Sequence, residues 1–163
     1  MALYKESSSL SPIADFFNGR QIMSDEQMIQ VAREAIRAFN ESDWTLNRSV
    51  CSENVIYEQK PTGETIRGYE AFEEKCIEWK GLMSDCAGAI GDTYVSGDWV
   101  ILEVVWSGTH TGPMQTPMGE IAPSGNTMNN PGVSLYRIED AKVVEIRNYF
   151  DMLVLLREFG ALG

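Results

Sequence analysis

Few residues of this chain can carry chemistry, and the pattern around them says where each would act. Along the closing strand, alternation puts Val143, Glu145, Arg147, Tyr149 and Asp151 on one face and Val144, Ile146, Asn148 and Phe150 on the other. Arg147 and Asp151 either project with Tyr149 into the polar end of a cavity or form a surface ion pair without chemistry. Tyr57 and Gln59 share a strand face and can position a carbonyl, a hydroxyl or a water, unless Tyr57 is a core tyrosine with a satisfied hydroxyl. Glu58 points the other way and reads as a solvated charge. The single histidine, His110, excludes a histidine-cluster metal site, and the carboxylates show neither calcium-loop nor HExxH spacing, so no metal is expected. Cys51, Cys76 and Cys86 are odd in number and lack C-x-x-C spacing, which reads as small buried hydrophobes in a reducing compartment.

The elements that must position these groups are legible from periodicity. The chain has 163 residues, enough for one core without a disulfide or metal staple. Its 24 Asp and Glu against 13 Lys and Arg give a net charge of −11, which argues against nucleic acid or an anionic membrane as a partner. With no leader pattern and no membrane-length apolar run, the expected location is cytoplasmic. Residues 1–22 read as an arm and 23–163 as one domain. Ser24-Asp25-Glu26-Gln27 is a capping box opening a helix with an apolar stripe Met28, Val31, Ala32, Ala35, Ile36, Phe39. A strand over 50–59 ends at the turn Pro61-Thr62-Gly63, and a second helix over 69–82 places Phe72, Cys76, Trp79 and Met83 on one face. Strands follow over 89–96, 99–109, 133–138 and 143–150, the last two joined as a hairpin, and a short apolar helix from Met152 to Phe159 closes the chain. The irregular stretch 111–131 reads as a loop that either covers a cavity, with Met114, Met118 and Met128 as an adaptable apolar cover, or is a surface excursion.

Helix, strand, helix, then a meander of strands is an α+β pattern in which helices pack on one face of a curved antiparallel sheet that wraps into a cone. On the strand after Asp98, the apolar set Val100, Leu102, Val104, Trp106, Gly108 and His110 faces inward, with Trp106 deep and His110 near the rim. The closing strand conflicts with that rule, because its apolar set is Val144 and Ile146 while its polar set holds the reactive groups. One resolution buries Val144 and Ile146 against a second subunit through the outer sheet face, which predicts a homodimer. Trp44, after the first helix, is either a cavity wall or a residue of the helix–sheet seam.

Five segments then resemble the SnoaL-like polyketide cyclases of the NTF2-like (cystatin-like cone) superfamily. They are Phe39-Asn40-Glu41-Ser42-Asp43-Trp44, Val55-Ile56-Tyr57 with Gly68-Tyr69-Glu70-Ala71-Phe72, Trp106-Ser107-Gly108-Thr109-His110-Thr111-Gly112-Pro113, Pro123-Ser124-Gly125, and Ser134-Leu135-Tyr136-Arg137-Ile138 with Tyr149-Phe150-Asp151. The resemblance implies a cofactor-independent cyclase or isomerase acting on a small apolar polyketide or terpenoid intermediate. In it Asp151 is the general acid/base, and His110, Trp106 and Tyr149 line the cavity. His110 either orients the substrate carbonyl or relays a proton beside Asp151, or is an idle rim histidine bonded to the loop, and Tyr57, Gln59, Arg147 and Trp44 are the further candidate substrate-binding residues. A carboxylate at the mouth of an apolar cavity has its charged form disfavoured, which suits proton exchange near neutrality. A second resemblance, to limonene-type epoxide hydrolases, rests on Tyr57-Glu58-Gln59-Lys60-Pro61 and the closing strand. It implies that Tyr57 and Gln59 hold an attacking water, but the central strand carries Val104, Trp106 and Gly108 where that chemistry places Arg and Asp. A non-catalytic ligand-binding protein is the remaining alternative, because one cone hosts many functions.

Overall fold

The computed structural model describes residues 23–116 and 119–162, so the expectations for the arm 1–22 and for Met118 lie outside the described residues. Helix α1 (Asp25–Glu41) begins at the capping box: the Ser24 hydroxyl accepts from the Gln27 N–H at 3.3 Å, and the Gln27 carboxamide oxygen accepts from the Ser24 N–H at 2.9 Å. Its stripe Met28, Ala32, Ala35, Ile36 and Phe39 is buried. Helix α2 (Trp44–Val50), capped by the Asp43 carboxylate, occupies a stretch in which no helix was expected. Strands β1 (Cys51–Gln59) and β2 (Glu64–Arg67) flank the Thr62 turn, and α3 spans Tyr69–Leu82. The rest is β3 (Ala87–Ser96), β4 (Trp99–Thr109), the small hairpin β5 (Met114–Thr116) and β6 (Gly119–Ile121), β7 (Thr127–Glu139), β8 (Lys142–Phe150) and α4 (Met152–Glu158). The stretch expected to be one long loop is therefore shorter: it contains a hairpin, and β7 starts six residues before Val133.

The sheet order is β2-β1-β8-β7-β4-β3, with every neighbouring pair antiparallel except β1 with β8. This curved sheet and the helices against its inner face make the expected cone. No helix among the described residues is long and apolar enough to cross a membrane.

The register of β8 resolves the conflict between its two faces. Ile138 pairs with Val143 but Arg137 pairs with Glu145, so Val144 is an extra residue, a β-bulge. Val143 and Ile146 are both buried, although they stand on opposite faces by strict alternation. From Ile146 onward the even residues face inward. The set Arg147, Tyr149 and Asp151, expected to project into the cavity, is turned outward instead. The expectation that Ile146 faces a second subunit is likewise corrected, because Ile146 belongs to the core.

Candidate functional site

A cavity lies between the inner face of the sheet and helices α1 and α3. Its volume is about 80 Å³, and since one water needs roughly 10–15 Å³ on this measure, it has room for several waters or a slim ligand. Apolar walls come from Ile36 and Phe39 on α1, Phe72 and Met83 on or beside α3, and Trp106 and Ile146 on the sheet. Trp106 is set edge-on to Phe39, with centroids 5.6 Å apart. Gly88 makes room for it, since a Cβ there would come within 2.9 Å of both the Trp106 ring and Val104.

One polar row crosses this otherwise apolar face. Gln59 pairs with Asn148, and Asn148 with Ser134, so three polar side chains stand side by side on β1, β8 and β7. The Ser134 hydroxyl donates to the Asn148 carboxamide oxygen at 2.7 Å. The Tyr57 hydroxyl, one step down β1, donates to the Gln59 carboxamide oxygen at 3.4 Å, and the Gln59 NH₂ donates to the Thr62 hydroxyl at 3.2 Å. Burial pushes the Tyr57 phenol well above its ordinary pKa, while hydrogen bonding from Asn148 and Trp79 pulls the other way. Tyr57, Asn148 and Trp79 line the cavity, whereas Gln59 backs Tyr57 from behind.

The remaining titratable lining groups keep fixed states. Burial opposes the charge on Lys75, but Glu78 at 2.6 Å and Glu64 at 3.3 Å outweigh it, so its pKa is raised and it stays an ammonium. Burial lifts the Cys86 thiol to about 11 and Cys76 higher still, so both are packing groups and not thiolate nucleophiles. Burial also raises Tyr136. No carboxylate or imidazole lines the cavity among the described residues. Of its N–H donors, the Trp106 indole nitrogen is buried without a hydrogen-bond partner.

Of the residues expected at the site, the structure brings together Tyr57 and Trp106 at the cavity and Gln59 behind them. Asp151 is exposed, and its carboxylate accepts from the N–H groups of Leu153 and Val154 at 2.8 and 3.2 Å as the N-cap of α4. Tyr149, 43% exposed, faces out beside it. Arg147 is on the outer face in a ladder of charges. It pairs with Glu145 at 2.7 Å and Glu58 at 3.4 Å, and Glu145 also meets Arg137 at 3.1 Å. The Arg147 guanidinium lies 4.5 Å over the Trp99 ring. Glu58, expected to be a solvated charge, is a rung of that ladder and also pairs with Lys60. Trp44 packs in the seam of α2 with the core, where its carbonyl accepts from the Tyr69 hydroxyl at 3.2 Å.

His110 keeps its inward direction but is walled off. Gly108 allows Met83 and Cys86 to close against β4, where a Cβ would meet Met83 at 3.0 Å, and the Thr111 and Gly112 N–H groups both donate to the Leu82 carbonyl. The buried ring stacks on Phe159 at 3.9 Å, and its Nδ1 accepts from the Ser124 N–H at 3.3 Å. Burial lowers its pKa, against a smaller opposing effect of the Gly112 backbone.

Sequence reasoning passed over Asn148, Ser134, Asn130, Asn47 and Lys75. The signal for Asn148 was present, since it is the one polar residue in the apolar set of the closing strand. Asn130 shows why an inward amide is not always a ligand site: it donates to the Asp151 carbonyl at 2.8 Å and accepts from the Asp151 N–H at 3.2 Å, which clamps the end of β8.

A family model described as SnoaL-like polyketide cyclase matches residues 29–159. No curated protein matches the chain. Among solved structures, TsrD from Streptomyces laurentii is similar at 23% identity and a TM-score of 0.74, covering 86% of this chain and all of that one. A protein described as a SnoaL-like polyketide cyclase from Jannaschia sp. CCS1 is similar at 18% identity and a TM-score of 0.76, covering 88% and 99%. A protein with a cystatin-like fold from Xanthomonas campestris reaches 26% identity and a TM-score of 0.65, covering 81% and 95%.

Proposed function

The chain belongs to the SnoaL-like polyketide cyclase family, and from that premise we propose that it closes or rearranges a ring in a slim, largely apolar polyketide or terpenoid intermediate by polarising a carbonyl, without a cofactor. The observation that carries this reading is the Asn148 carboxamide, a neutral donor in a largely apolar cavity, held through its oxygen by Ser134. A hydrogen bond from Asn148 to a substrate carbonyl draws electron density onto its oxygen, and the low-dielectric surroundings strengthen that bond relative to water. In an aldol-type closure, the enol carbon of the same substrate adds to the polarised carbonyl. The carbonyl π pair moves to oxygen, and the proton leaving the enol oxygen is taken up by the new alkoxide. The apolar walls fold the substrate and exclude water. Asp151 and His110 have no part in this proposal, because one caps a helix at the surface and the other is sealed behind Met83.

The test is turnover of a candidate precursor by the wild type, Asn148→Ala and Asp151→Asn, with products identified by mass. Asn148→Ala is expected to slow ring formation by roughly 10²-fold, the usual effect of deleting one donor to a developing oxyanion. Asp151→Asn is expected to retain activity, and the product is expected to be isomeric with its precursor. Unchanged turnover in Asn148→Ala, or its loss in Asp151→Asn, would sink the proposal. Labelled oxygen taken up from water would mark epoxide hydrolysis with Tyr57 and Gln59, and tight binding without turnover would mark a carrier.

A further inference from the structure

Two tyrosines flank Ile146 on the inner face of the sheet, and their hydroxyls end in different ways. Ile146 of β8 pairs with Tyr57 of β1 on one side and with Tyr136 of β7 on the other. Both tyrosines are buried and both line the cavity. The Tyr57 hydroxyl has a partner in the Gln59 carboxamide oxygen at 3.4 Å. The Tyr136 hydroxyl has none among the described residues. Burial holds this phenol well above its ordinary pKa, so it stays a protonated hydroxyl, able to donate and to accept.

Asn47 belongs to the same end of the cavity. Its carboxamide oxygen accepts weakly from the Cys51 thiol at 4.0 Å, and its NH₂ has no partner among the described residues. Cys51 is level with Val143, and Val143 with Ile138, which lies two residues along β7 from Tyr136 on the side away from Ser134 and Asn148. Helix α2 therefore lays the buried Asn47 over the row of the sheet next to that of Tyr136. Neither polar group is sealed by packing, as the Trp106 nitrogen is, and the space open to them is the cavity that both residues line. A hydroxyl and an amide taken out of water with no bond in return are restored only by a ligand or a bound water. Asn148 is separate from this pair, since it stands diagonally from Tyr136 on the neighbouring strand, a spacing of about 7–8 Å.

The geometry points to a second polar subsite, made by the Tyr136 hydroxyl and the Asn47 NH₂, that takes a hydroxyl or carbonyl oxygen at the end of the ligand away from Asn148. A ligand hydroxyl there accepts from Asn47 and donates to Tyr136, and a carbonyl accepts from both. The cavity then selects compounds that carry oxygen at opposite ends of an apolar ring over compounds that carry it at one end. That the occupant is the substrate rests on the functional reading above; the subsite itself does not.

Calorimetric titration of the full chain with 4-hydroxyacetophenone and with acetophenone tests this. Both probes carry a carbonyl for Asn148, and only the first carries an oxygen at the other end of the ring. The wild type is expected to bind the hydroxylated probe about tenfold more tightly, the size of one good hydrogen bond. Tyr136→Phe, which deletes only the hydroxyl, is expected to remove most of that preference while binding acetophenone as the wild type does, and Asn47→Leu to reduce it. Because the Tyr136 hydroxyl has no partner in the empty protein, Tyr136→Phe should unfold at a denaturant concentration equal to or above that of the wild type. Tyr57→Phe, which deprives Gln59 of its donor, should unfold at a lower one. Equal wild-type affinities for the two probes, including none for either, or a preference that survives Tyr136→Phe, would overturn the subsite. So would a Tyr136→Phe that loses stability as Tyr57→Phe does, since its hydroxyl would then already be bonded. A preference untouched by Asn47→Leu would remove Asn47 from it. If the preference behaves as expected while Asn148→Ala leaves ring closure unchanged, the subsite stands and the cyclisation reading fails.

Discussion

On β8 the inward residues Ile146, Asn148 and Phe150 and the outward residues Arg147, Tyr149 and Asp151 alternate one by one, yet they sit in different solvents. Inward, β8 presents a single neutral amide between two apolar side chains, its oxygen held by the Ser134 hydroxyl of β7. Outward, full charges are plentiful, but they are spent on one another in the ladder through Glu58, Arg147, Glu145 and Arg137, or on a helix cap at Asp151. The difference teaches that charge is a poor guide to chemistry here. A charged group at a wet surface is already satisfied, whereas a neutral donor in a low-dielectric cavity keeps its full capacity for a ligand.

The contrast is broken most severely by truncating neighbours on opposite faces. Ile146→Ala removes a buried side chain from the core and is expected to cost about 2–4 kcal/mol. Arg147→Ala removes one member of a partly exposed ladder and is expected to cost under about 1 kcal/mol, more of it at low salt than at high. Chemical denaturation of both variants at two salt concentrations reads the comparison. Equal losses would mean that the two faces are not as different as the burial of Ile146 says.

A smaller effect sharpens the same contrast at Asp151. Asp151→Ala is expected to lose about 1 kcal/mol of stability by uncapping α4, while Asp151→Asn, which still caps, loses a few tenths at most. Neither should change ligand binding in the cavity. A fall in ligand affinity in Asp151→Asn at unchanged stability would bring the carboxylate back into the site.

Much of this was legible before any coordinates, for physical reasons that differ by element. The capping box at Ser24, the helical face of α3 and the limits of β4 follow from local bonding and period, so sequence pattern sufficed. Tyr57 and Trp106 were found at the cavity because alternation holds along β4 and, after the irregularity between Cys51 and Ile56, over the last residues of β1. The other half of the site was missed at one residue, Val144. Reading regular alternation back from Asp151 selects Glu145, Arg147 and Tyr149 together with the buried Val143, a self-consistent and wrong face, because a bulge cannot be seen in the period. The apolar rule, applied alone to Ile146, Asn148 and Phe150, gives the right one. Asp151 also carried a plain local signal, an aspartate immediately before the apolar helix Met152-Leu153-Val154-Leu155-Leu156, which is an N-cap pattern.

His110 extends the comparison to pH, because this histidine, the only one in the chain, lies inside without touching the cavity. Its pKa is lowered by burial, and its Nδ1 is an acceptor for the Ser124 N–H, a bond that protonation at that nitrogen would destroy. The unfolded chain protonates this ring below about pH 6.5, whereas the folded chain resists until a lower pH. In that window the unfolded state binds more protons, so stability is complete above about pH 6.5 and declines as the pH falls below it, until the folded ring also titrates. Denaturation midpoints followed from pH 8 to about 5.5, above most carboxylate titration, should show this slope, and His110→Asn should flatten it while lowering stability overall. The ring C2 proton of the folded wild type should titrate below that of the urea-unfolded chain. A folded-state titration at or above the unfolded one would mean that the ring reaches water or a carboxylate, and that the wall built by Gly108 and Met83 does not isolate it.

The smallest effect concerns the turn that sets the register of β7 against β8. Asp140 and Ala141 both take left-handed φ, 48° and 59°, the pair a two-residue hairpin turn of this hand requires. An alanine in that region carries roughly 1–2 kcal/mol of steric strain, from which glycine's greater freedom in the unfolded chain must be subtracted. Ala141→Gly is therefore expected to stabilise the protein by about 0.5–1 kcal/mol in chemical denaturation. Because the turn lies far along β8 from Asn148 and leaves the bulge at Val144 in place, turnover of the candidate precursor should stay at its wild-type value. A stability gain accompanied by altered turnover would show that the register at the turn is transmitted through the bulge to the cavity. That would couple the inner and outer faces of β8, which the present geometry separates.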